Sequence, residues 1–423
     1  MRSFIIEGGR RLEGEIRASG AKNAILPIMA ATLLTREECV IHDVPDLLDV
    51  GTMADILTGL GAKVRFGRDG AGRRRYVRIS ANSLTGCEVS AELMGDMRSS
   101  IVVMGPLLAR LGKARVSRPG GCSLGPRPIN FHLRGFETLG TRIRESHGFV
   151  DAETPGLVGR EITLDFPSVT TTENLIMAAI HADGRTVIRN AAREPEVVDL
   201  QNFLIAMGGR VDGAGSDTVT VTGGKRLHGA EHTVIPDRIE IGTYLAAAAI
   251  TSGDVRVTNV VPQHLDAVTA KLREAGVALE QGNDHIRVLP GTRLKPVDVK
   301  TMPYPGYPTD LGPPVMSMMC FAEGTSLITE NIFEKRFAHA EELSRMGGSV
   351  EVLSRLAVVR GTGRLSGARV RAPDLRAGAA LVLAGLGADG TTTVDHAHHI
   401  ERGYEHMDDK LGHLGAFVRK VEN

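Results

Sequence analysis

The sequence predicts an α/β protein with two domains, each built from three repeated βαβα-type units. A helix–strand–helix–glycine pattern recurs six times along the 423 residues. A chain of this length normally forms two or three domains, and 42% apolar with 24% charged residues is ordinary for a globular protein. We expect one domain over residues 22–234 and a second over residues 1–21 plus 235–423, with a crossover near Leu227–Asp237. The first twenty residues could supply a strand to either domain.

Each repeat contains an apolar Ala-rich helix, a β-rich strand and an amphipathic helix that ends at a glycine. The six predicted strands start at Glu37, Gly112, Gly184, Gly253, Gly324 and Gly390. The six glycines that end the amphipathic helices, where a left-handed residue commonly stops a helix, are Gly61, Gly140, Gly208, Gly276, Gly347 and Gly415. Their spacings are 79, 68, 68, 71 and 68 residues. Solenoid repeats, the alternative, are usually shorter, at about 20–50 residues.

The second repeat is irregular. From Gly112 to Gly140 it needs 28 residues, whereas copies three to six need 23–25 for the same step. The additional residues fall in Arg118–Pro128, whose three glycines and three prolines predict an exposed, mobile loop. Cys122 lies in this loop between Arg118 and Arg127, and cationic neighbours lower the pKa of a thiol. The loop therefore predicts a reactive cysteine, with an incidental surface cysteine as the alternative.

Composition excludes several classes of protein. Fifty basic against fifty acidic residues argue against a nucleic-acid partner, and the apolar stretch Thr243–Ile250 is too short to span a membrane.

We expect buried thiols at Cys39, Cys87 and Cys320. No Cys/His spacing typical of zinc is found, so we expect no metal, no disulfide framework and a reducing, cytoplasmic location. The first residues have no apolar signal segment.

Polar residues stand where each apolar helix is predicted to begin. Capping explains serine and aspartate at such positions, but cations are unfavourable at a helix N-terminus unless an anion balances them. The cations therefore predict a small, highly anionic ligand held between the domains. The residues at these starts are Lys22 with Asn23, Arg98, Ser168, Asp237, Asp310, and Asp374 with Arg376.

Long segments in this order resemble a known family. They include SGAKNAILPI, RPGGCSLGPRPI, NAAREPEVVDL, IPDRIEIGTYLAAAAI, YPTDL, ELSRMGG, APDLRAGAALVLAGL and HIERGYEHMDDKL. Over essentially the whole chain they resemble the UDP-N-acetylglucosamine 1-carboxyvinyltransferases, a family of enolpyruvyl transferases. The resemblance implies two inside-out α/β domains of three repeats, a mobile cysteine loop and a site in the cleft between the domains. It implies closure on ligand, and no cofactor, metal or obligate protein partner.

The resemblance also implies roles for individual residues. Phosphoenolpyruvate would be bound by Lys22, Arg127, Arg336 and Arg402. Cys122 would donate a proton to its methylene carbon and could form an adduct with it, while Asp310 would accept the proton of the attacking sugar hydroxyl. Asp374 and Arg376 would orient the loop and the cations. The uridine nucleotide would contact Asn23, Arg98, Arg127, Pro128, Ile129, Asn130, Phe131, Ser168, Val169 and Ile332.

Four departures from the family pattern concern the acceptor. This chain has Leu48, Asn130, Thr170 and Gly312-Pro313-Pro314 where the family usually has a basic residue, Asp, Gly and a Gln-containing stretch. The leading hypothesis is transfer to the 3-hydroxyl of UDP-N-acetylglucosamine, in peptidoglycan synthesis. The alternative is another uridine nucleotide, such as UMP in nucleoside-antibiotic biosynthesis. A 5-enolpyruvylshikimate-3-phosphate synthase would lack the cysteine loop, and a regulatory pseudo-enzyme would be expected to lose its catalytic residues.

Overall fold

The chain folds into two compact units, each with its own core of buried apolar side chains. The structure is a computed structural model that describes residues 2–70, 72, 74–120, 124–125, 129–291 and 293–422. The central unit comprises Gly20–Gly121 and Arg127–Ile235. The terminal unit comprises Met1–Ser19, Cys122–Pro126 and Pro236–Asn423.

Two strands of the terminal unit come first in the chain, β1 (Arg2–Glu7) and β2 (Glu13–Arg17). The central unit follows. Its strands are β3 (Glu38–His42), β4 (Lys63–Arg68), β5 (Arg75–Ser80), β6 (Lys113–Ser117), β7 (Arg142–Ser146), β8 (Phe149–Glu153), β9 (Glu161–Thr163), β10 (Arg185–Arg189), β11 (Arg210–Asp212), β12 (Thr218–Thr222) and β13 (Glu231–Thr233). Its helices are α1 (Lys22–Ala31), α2 (Leu48–Gly59), α3 (Ala91–Asp96), α4 (Met104–Leu111), α5 (Asn130–Thr138), α6 (Val169–Ala179) and α7 (Pro195–Ala206), with 3₁₀ turns at Thr32–Leu34 and Arg98–Val103.

The rest of the terminal unit follows the same plan. Its strands are β14 (Asp254–Thr258), β15 (Leu279–Gln281), β16 (His285–Val288), β17 (Val299–Lys300), β18 (Gly324–Thr329), β19 (Ser349–Leu353), β20 (Leu356–Gly361), β21 (Arg369–Arg371), β22 (Thr391–Asp395) and β23 (Phe417–Glu422). Its helices are α8 (Arg238–Ile250), α9 (Asp266–Glu274), α10 (Gly312–Cys320), α11 (Ala340–Arg345), α12 (Leu375–Gly387) and α13 (Met407–His413). Further 3₁₀ turns cover Pro262–Leu265, Thr309–Leu311 and Ala397–Arg402.

The six predicted strands are confirmed as β3, β6, β10, β14, β18 and β22, each starting within one residue of its predicted start. The six predicted helix-ending glycines are also confirmed. All have a positive φ, between 86° and 99°, which a residue with a Cβ rarely adopts. Each glycine therefore turns the chain from its helix into the next strand.

Each unit has three small sheets with one recurring topology. In the central unit the orders are β13-β3-β5-β4, β11-β12-β10-β9 and β6-β8-β7, and in the terminal unit β15-β16-β14-β2, β17-β18-β20-β19 and β21-β22-β1-β23. A four-stranded sheet has one parallel pair, such as β9 with β10, and antiparallel pairs elsewhere. The sheet of the irregular second repeat differs. Its parallel neighbour is reduced to a single bridge from Glu88 to Arg115.

Both strands that precede Gly20 contribute to the terminal unit. Strand β1 lies between β22 and β23, and β2 pairs in parallel with β14. In β1 the middle residues Ser3, Phe4 and Ile6 are buried while Arg2 and Glu7 at its two ends are exposed, as expected for a strand with a neighbour on either side.

The helices that the sequence predicts as apolar lie at the centre of each unit. Every residue of α10, and all but the last residue of α8 and of α12, is buried. Their many alanines and glycines allow helix axes to approach closely. The sheets and amphipathic helices surround them, which confirms the predicted inside-out α/β class. No helix in the described part of the chain is long and apolar enough to cross a membrane.

Candidate active site

Asp310 of the terminal unit is held by two buried arginines. Its Oδ1 accepts a hydrogen bond from Arg336 Nη2 at 2.9 Å, and its Oδ2 accepts one from Arg376 Nε at 3.2 Å. Both guanidinium side chains are 1% exposed, whereas the Asp310 side chain is 24% exposed. Two buried cations thus hold the carboxylate, and part of the Asp310 side chain remains accessible to solvent. This suits a group that must exchange a proton with a ligand.

The start of α12 positions Arg376. Asp374 caps this helix, because its Oδ1 accepts hydrogen bonds from the backbone amides of Arg376 at 2.8 Å and Ala377 at 3.0 Å. Arg376 Nη1 has no hydrogen-bond partner among the described residues. Burial opposes the charge of Arg376, but neighbouring Tyr404 and Asp310 outweigh it and raise the pKa of the guanidinium above its usual value. Arg376 is therefore a permanent cation.

Glu330 links the segment of Ile332 to the 3₁₀ turn Thr309–Leu311, which contains Asp310. Its Oε1 accepts hydrogen bonds from the backbone amides of Ile332 at 2.7 Å and Phe333 at 2.9 Å. Its Oε2 accepts one from the Thr309 hydroxyl at 2.9 Å. Glu330 is 1% exposed, so its role is to position these two segments. The sequence analysis missed it. The available signal is an acidic residue directly after strand β18.

His339 is a second residue that the sequence analysis missed. It is fully buried, and neither ring nitrogen has a hydrogen-bond partner among the described residues. Burial lowers the pKa of His339 to about 4; nearby Asp374 opposes this shift and Arg336 adds to it. The imidazole is therefore neutral at physiological pH. It lies close to the residues that flank the Asp310 carboxylate, without adding a charge there.

Arg402 ends the 3₁₀ turn Ala397–Arg402, which packs against α12. Gly403, which follows it, allows a close approach: a Cβ there would lie 2.3 Å from Leu375 Cδ1 and 3.4 Å from Arg376 Nη1. Burial, His398 and the Arg402 cation lower the pKa of His399 to about 4. The terminal unit thus gathers Asp310, Arg336, Asp374 and Arg376, with Ile332 and the Arg402 segment beside them.

In the central unit, Lys22 forms an ion pair with Asp49. The Lys22 Nζ lies 2.7 Å from Asp49 Oδ2, and the two side chains are 10% and 3% exposed. Lys22 is the first residue of α1, whose N-cap Ala21 makes no side-chain capping bond, and Asn23 follows half-buried. A protein carboxylate therefore lies beside Lys22, as Asp310 lies beside Arg376. The anionic ligand predicted at these helix starts stays a prediction.

A histidine joins the starts of two further helices. The backbone of α5 begins at Asn130, with Ile129 buried before it and Phe131 half-buried after it. His132 is buried, and burial together with the Arg98 cation lowers its pKa to about 3. Its Nδ1 accepts a hydrogen bond from Asn174 Nδ2 at 3.1 Å, so its Nε2 carries the proton and faces the Thr170 hydroxyl at 3.4 Å. Arg98 and the first turns of α5 and α6 therefore lie close together.

Ser168 and Arg98 differ in detail from the prediction. Ser168 occupies the N-cap position of α6, before Val169, but its hydroxyl bonds to the Thr171 hydroxyl at 2.9 Å and not to a backbone amide. Arg98 begins a 3₁₀ turn, Arg98–Val103, that continues into α4, and its Nη1 lies 3.5 Å from the Pro119 carbonyl oxygen. Asp237 is a capping residue as predicted, because its Oδ1 accepts from two amides of α8.

Three predicted residues, Cys122, Arg127 and Pro128, lie outside the described residues. Between them the structure describes Leu124 and Gly125. The backbone amide of Lys335 donates a hydrogen bond to the Leu124 carbonyl at 3.2 Å. A Cβ on Gly125 would lie 3.1 Å from Glu334 Cβ. This part of the loop therefore contacts the segment that leads directly to Arg336.

The other thiols are described. Cys39 and Cys320 are buried as predicted, and burial raises the pKa of Cys39 to about 11 and of Cys320 to about 12. Both are therefore neutral thiols. Cys87 is only half-buried, contrary to the prediction, because it lies in the irregular segment before α3 and not in a strand.

The fold and these residues define a known family of transferases. The family model described as EPSP synthase (3-phosphoshikimate 1-carboxyvinyltransferase) matches residues 6–411. The match covers nearly the whole chain, so this chain belongs to that carboxyvinyltransferase family.

Relatives within the family are more specific. The chain is 56% identical over 419 residues to UDP-N-acetylglucosamine 1-carboxyvinyltransferase 1 of Symbiobacterium thermophilum, covering 99% of this chain and 95% of that one. It is 49% identical over 421 residues to UDP-N-acetylglucosamine 1-carboxyvinyltransferase 1 of Carboxydothermus hydrogenoformans, covering 100% and 99%. The resemblance found in the sequence is thereby confirmed.

Solved structures agree with the fold. The crystal structure of the enolpyruvyl transferase NikO from Streptomyces tendae superposes with a TM-score of 0.88 at 28% identity, over 99% of both chains. An EPSP synthase of Acinetobacter baumannii has a TM-score of 0.77 at 17% identity, over 100% of both chains. The second similarity shows the fold alone.

Proposed function

We propose that this protein transfers the enolpyruvyl group of phosphoenolpyruvate to the 3-hydroxyl of UDP-N-acetylglucosamine and releases phosphate. The observation that carries the proposal is 56% identity, over nearly the whole of both chains, to a relative named for this activity. The chemistry of the terminal unit agrees with it. A partly exposed carboxylate and two permanent cations suit a reaction that moves protons and binds a polyanion.

The reaction proceeds by addition and then elimination. The sugar oxygen forms a bond to C2 of phosphoenolpyruvate and its proton passes to Asp310, while Cys122 protonates the methylene carbon. The resulting intermediate carries both the sugar oxygen and the phosphate on C2. Phosphate then leaves with its bonding electrons, and the Cys122 thiolate takes back one methyl proton, which restores the double bond. No redox partner is consumed.

Cations bind the phosphate and carboxylate of phosphoenolpyruvate in this proposal. The terminal unit contributes Arg336 and Arg402, and the central unit contributes Lys22 and Arg127. Two observations support the assignment: Arg336 is buried against Asp310, and Lys22 is held by Asp49. Bidentate guanidinium groups match carboxylate and phosphate oxygens. Asp374 and Arg376 are positioning residues, because Asp374 fixes the helix start from which Arg376 reaches Asp310.

The nucleotide contacts are assigned to Asn23, Arg98, Ser168 and Ile332, together with residues 127–131 and Val169. The support comes from contacts within each unit. His132 bonds to Asn174 and faces Thr170 of α6, and burial together with the nearby Arg98 lowers the pKa of His132. Glu330 holds the Ile332 backbone. Two departures from the family pattern lie at these helix starts: Asn130 begins α5, and Thr170 is in the first turn of α6. A different uridine nucleotide such as UMP is therefore the second candidate acceptor, although 56% identity to a relative named for UDP-N-acetylglucosamine favours the first.

The proposed product is an intermediate of peptidoglycan synthesis, and the proposed location is the cytoplasm, where phosphoenolpyruvate and nucleotide sugars are made. The described cysteines, Cys39, Cys87 and Cys320, are all free, which is compatible with a reducing compartment. We further propose induced fit, in which nucleotide binding orders the loop of Cys122 and lowers its sensitivity to protease before phosphoenolpyruvate is present.

An acceptor panel tests the proposal. Phosphate release from phosphoenolpyruvate is measured with UDP-N-acetylglucosamine, UMP, shikimate 3-phosphate and no acceptor, and the product is identified by mass. We expect kcat/KM with UDP-N-acetylglucosamine to exceed that with UMP by at least about tenfold, and no release without acceptor. An equal or higher value with UMP would replace the leading acceptor, and release with shikimate 3-phosphate alone would reject both uridine acceptors.

A further inference from the structure

Three histidines meet at the end of strand β22. His396 follows the strand, and His398 and His399 lie in the 3₁₀ turn Ala397–Arg402. One ligand nitrogen from each imidazole lies within 4.8 Å of the other two. The ring centroids of His398 and His399 are 4.2 Å apart, and those of His396 and His399 are 6.1 Å apart with the planes nearly parallel. The proposed transfer reaction has no use for these three side chains.

The backbone creates this cluster. His396 has a left-handed conformation, φ 63°, so the chain turns sharply from the strand into the 3₁₀ turn. Residues three apart in a 3₁₀ helix lie on the same side, which places His396 beside His399, with His398 adjacent. The run His-Ala-His-His is not a usual zinc spacing, and the sequence analysis therefore expected no metal ligands here.

The two neighbouring carboxylates are already bonded to other side chains, so the imidazoles are the groups that could bind a ligand. The Asp395 carboxylate is engaged by Ser3 at 2.9 Å and Arg369 at 2.8 Å. The Glu401 carboxylate is engaged by Arg2 at 2.8 Å and Lys420 at 3.0 Å. These bonds tie both ends of the segment to strands β1, β21 and β23. The cluster therefore sits on a well-anchored frame.

His399 supplies an independent observation. Its Nδ1 atom is buried, and it has no hydrogen-bond partner among the described residues. A buried ring nitrogen without a partner is costly in a native protein. Coordination to a metal ion would satisfy it.

We propose that His396, His398 and His399 form a binding site for a divalent transition metal, with zinc as the best fit. Zinc takes three imidazole nitrogens at about 2.0–2.1 Å and completes its tetrahedron with water. The ligand atoms then stand about 3.3 Å apart, so rotation of the imidazole side chains must close part of the present 4.8 Å. The metal would join the end of β22 to the turn that carries Arg402, and thereby stabilise the terminal unit.

The test uses the full chain without an affinity tag. Cys87→Ser and Cys122→Ser are present in every protein compared, to remove competing thiols. Zinc affinity is measured by competition with a chromogenic chelator, and ligand type by the absorption spectrum of the cobalt complex. We expect one zinc per chain with Kd below about 10 μM, a tetrahedral cobalt spectrum without a sulfur charge-transfer band, and a melting temperature raised by about 5 °C at 100-fold excess over Kd.

Variants connect the binding to the three residues. His398→Asn should weaken zinc at least about tenfold, and the double variant His396→Asn/His398→Asn should abolish both binding and the thermal shift. His413→Asn changes an exposed histidine of the same unit and should change neither. The proposal is overturned by a parent Kd above the stated limit, by a thiolate spectrum, or by a double variant that folds and binds zinc as the parent does. If the double variant does not fold, His398→Asn decides, and zinc affinity in this variant equal to that of the parent overturns the proposal.

Discussion

The two units balance the charges at their helix starts in different ways. In the central unit one ammonium group, Lys22, meets one carboxylate, Asp49, at 2.7 Å. In the terminal unit two guanidinium groups, Arg336 and Arg376, share the single carboxylate of Asp310 at 2.9 and 3.2 Å.

The two sites differ in how many cations lie against one carboxylate. Removing Asp49 takes a negative charge from beside one cation, Lys22. Removing Asp310 takes it from beside two buried arginines, which stay charged. We expect the terminal unit to be the more sensitive of the two to loss of its carboxylate.

The largest effect should follow Asp310→Asn. Loss of the proton acceptor should lower kcat about 10²–10⁴-fold, and loss of the charge shared by two buried arginines should destabilise the terminal unit by about 3 kcal/mol. Turnover and urea unfolding measure the two effects. Asp165→Asn, which breaks an exposed ion pair with Arg134, is the control and should cost less than about 1 kcal/mol. Full activity in Asp310→Asn would remove Asp310 from the mechanism.

Cys122→Ala should separate activity from stability. Loss of the proton donor should lower kcat at least about 10²-fold, while the free energy of unfolding should stay within about 0.5 kcal/mol because the loop composition predicts no core packing. An epoxide analogue of phosphoenolpyruvate should alkylate Cys122 in the parent, as peptide mass spectrometry reports. Labelling at Cys39, Cys87 or Cys320 in its place would contradict the assignment.

Lys22→Ala and Asp49→Asn probe the central pair directly. Lys22→Ala should weaken phosphoenolpyruvate binding by about 1.5–3 kcal/mol, the scale of a charge-assisted hydrogen bond. Asp49→Asn should keep the Lys22 cation but remove the ion pair that orients it, and should therefore weaken phosphoenolpyruvate binding less. Calorimetric titration of phosphoenolpyruvate in the presence of nucleotide gives both values. If Asp49→Asn were the more damaging variant, Lys22 would have a structural role and not a binding one.

Acid should destabilise each unit through a buried histidine. Burial holds the pKa of His339 at about 4 and that of His132 at about 3, below the ordinary value of about 6.5. Between these values the unfolded chain binds more protons than the folded one, so stability falls as the pH falls. From pH 7 to pH 5 each histidine should cost about 2 kcal/mol. Urea unfolding at both pH values should show a smaller loss in His339→Gln and in His132→Gln. An unchanged loss in both would show that other groups titrate.

Thr170→Gly should have the smallest effect. It restores the residue that the family usually carries and removes the hydroxyl facing His132 at 3.4 Å. We expect kcat/KM for UDP-N-acetylglucosamine to change by less than about fivefold, because that contact is long and weak. The ratio of kcat/KM for UDP-N-acetylglucosamine to that for UMP is the measurement, with Thr138→Gly on the exposed side of α5 as control. A change above tenfold in that ratio would make Thr170 a specificity residue.

The fold could be predicted from the sequence because its signals are local. A glycine after an amphipathic helix, such as Gly276, requires a positive φ whatever surrounds it. A strand of alternating apolar residues, such as β14, shows its buried face directly. Local signals repeated six times left little freedom in the architecture.

The partners of the site residues could not be predicted in the same way. Asp49 stands 27 positions after Lys22, in the second helix of the same repeat, and Arg376 stands 66 positions after Asp310, in the next repeat, so both contacts depend on how separate helices pack. Glu330 and His339 make no motif with their chain neighbours, and their burial is visible only in the folded structure. The sequence therefore indicated which charges matter, but not which carboxylate holds which cation.

The position of β1 has a consequence for synthesis on the ribosome. Ser3 pairs with Asp395 and Val421, 392 and 418 positions further along the chain. The central unit has all its strands and helices once residue 235 has emerged, whereas the sheet that contains β1 must wait for β22 and β23. Such non-local pairing is slow and leaves strand edges exposed meanwhile. During translation, β1 is thus an apolar strand that has no strand partner yet, joined to a central unit that is already complete. The step most exposed to chaperones and proteases is the late pairing of β1 with β22 and β23.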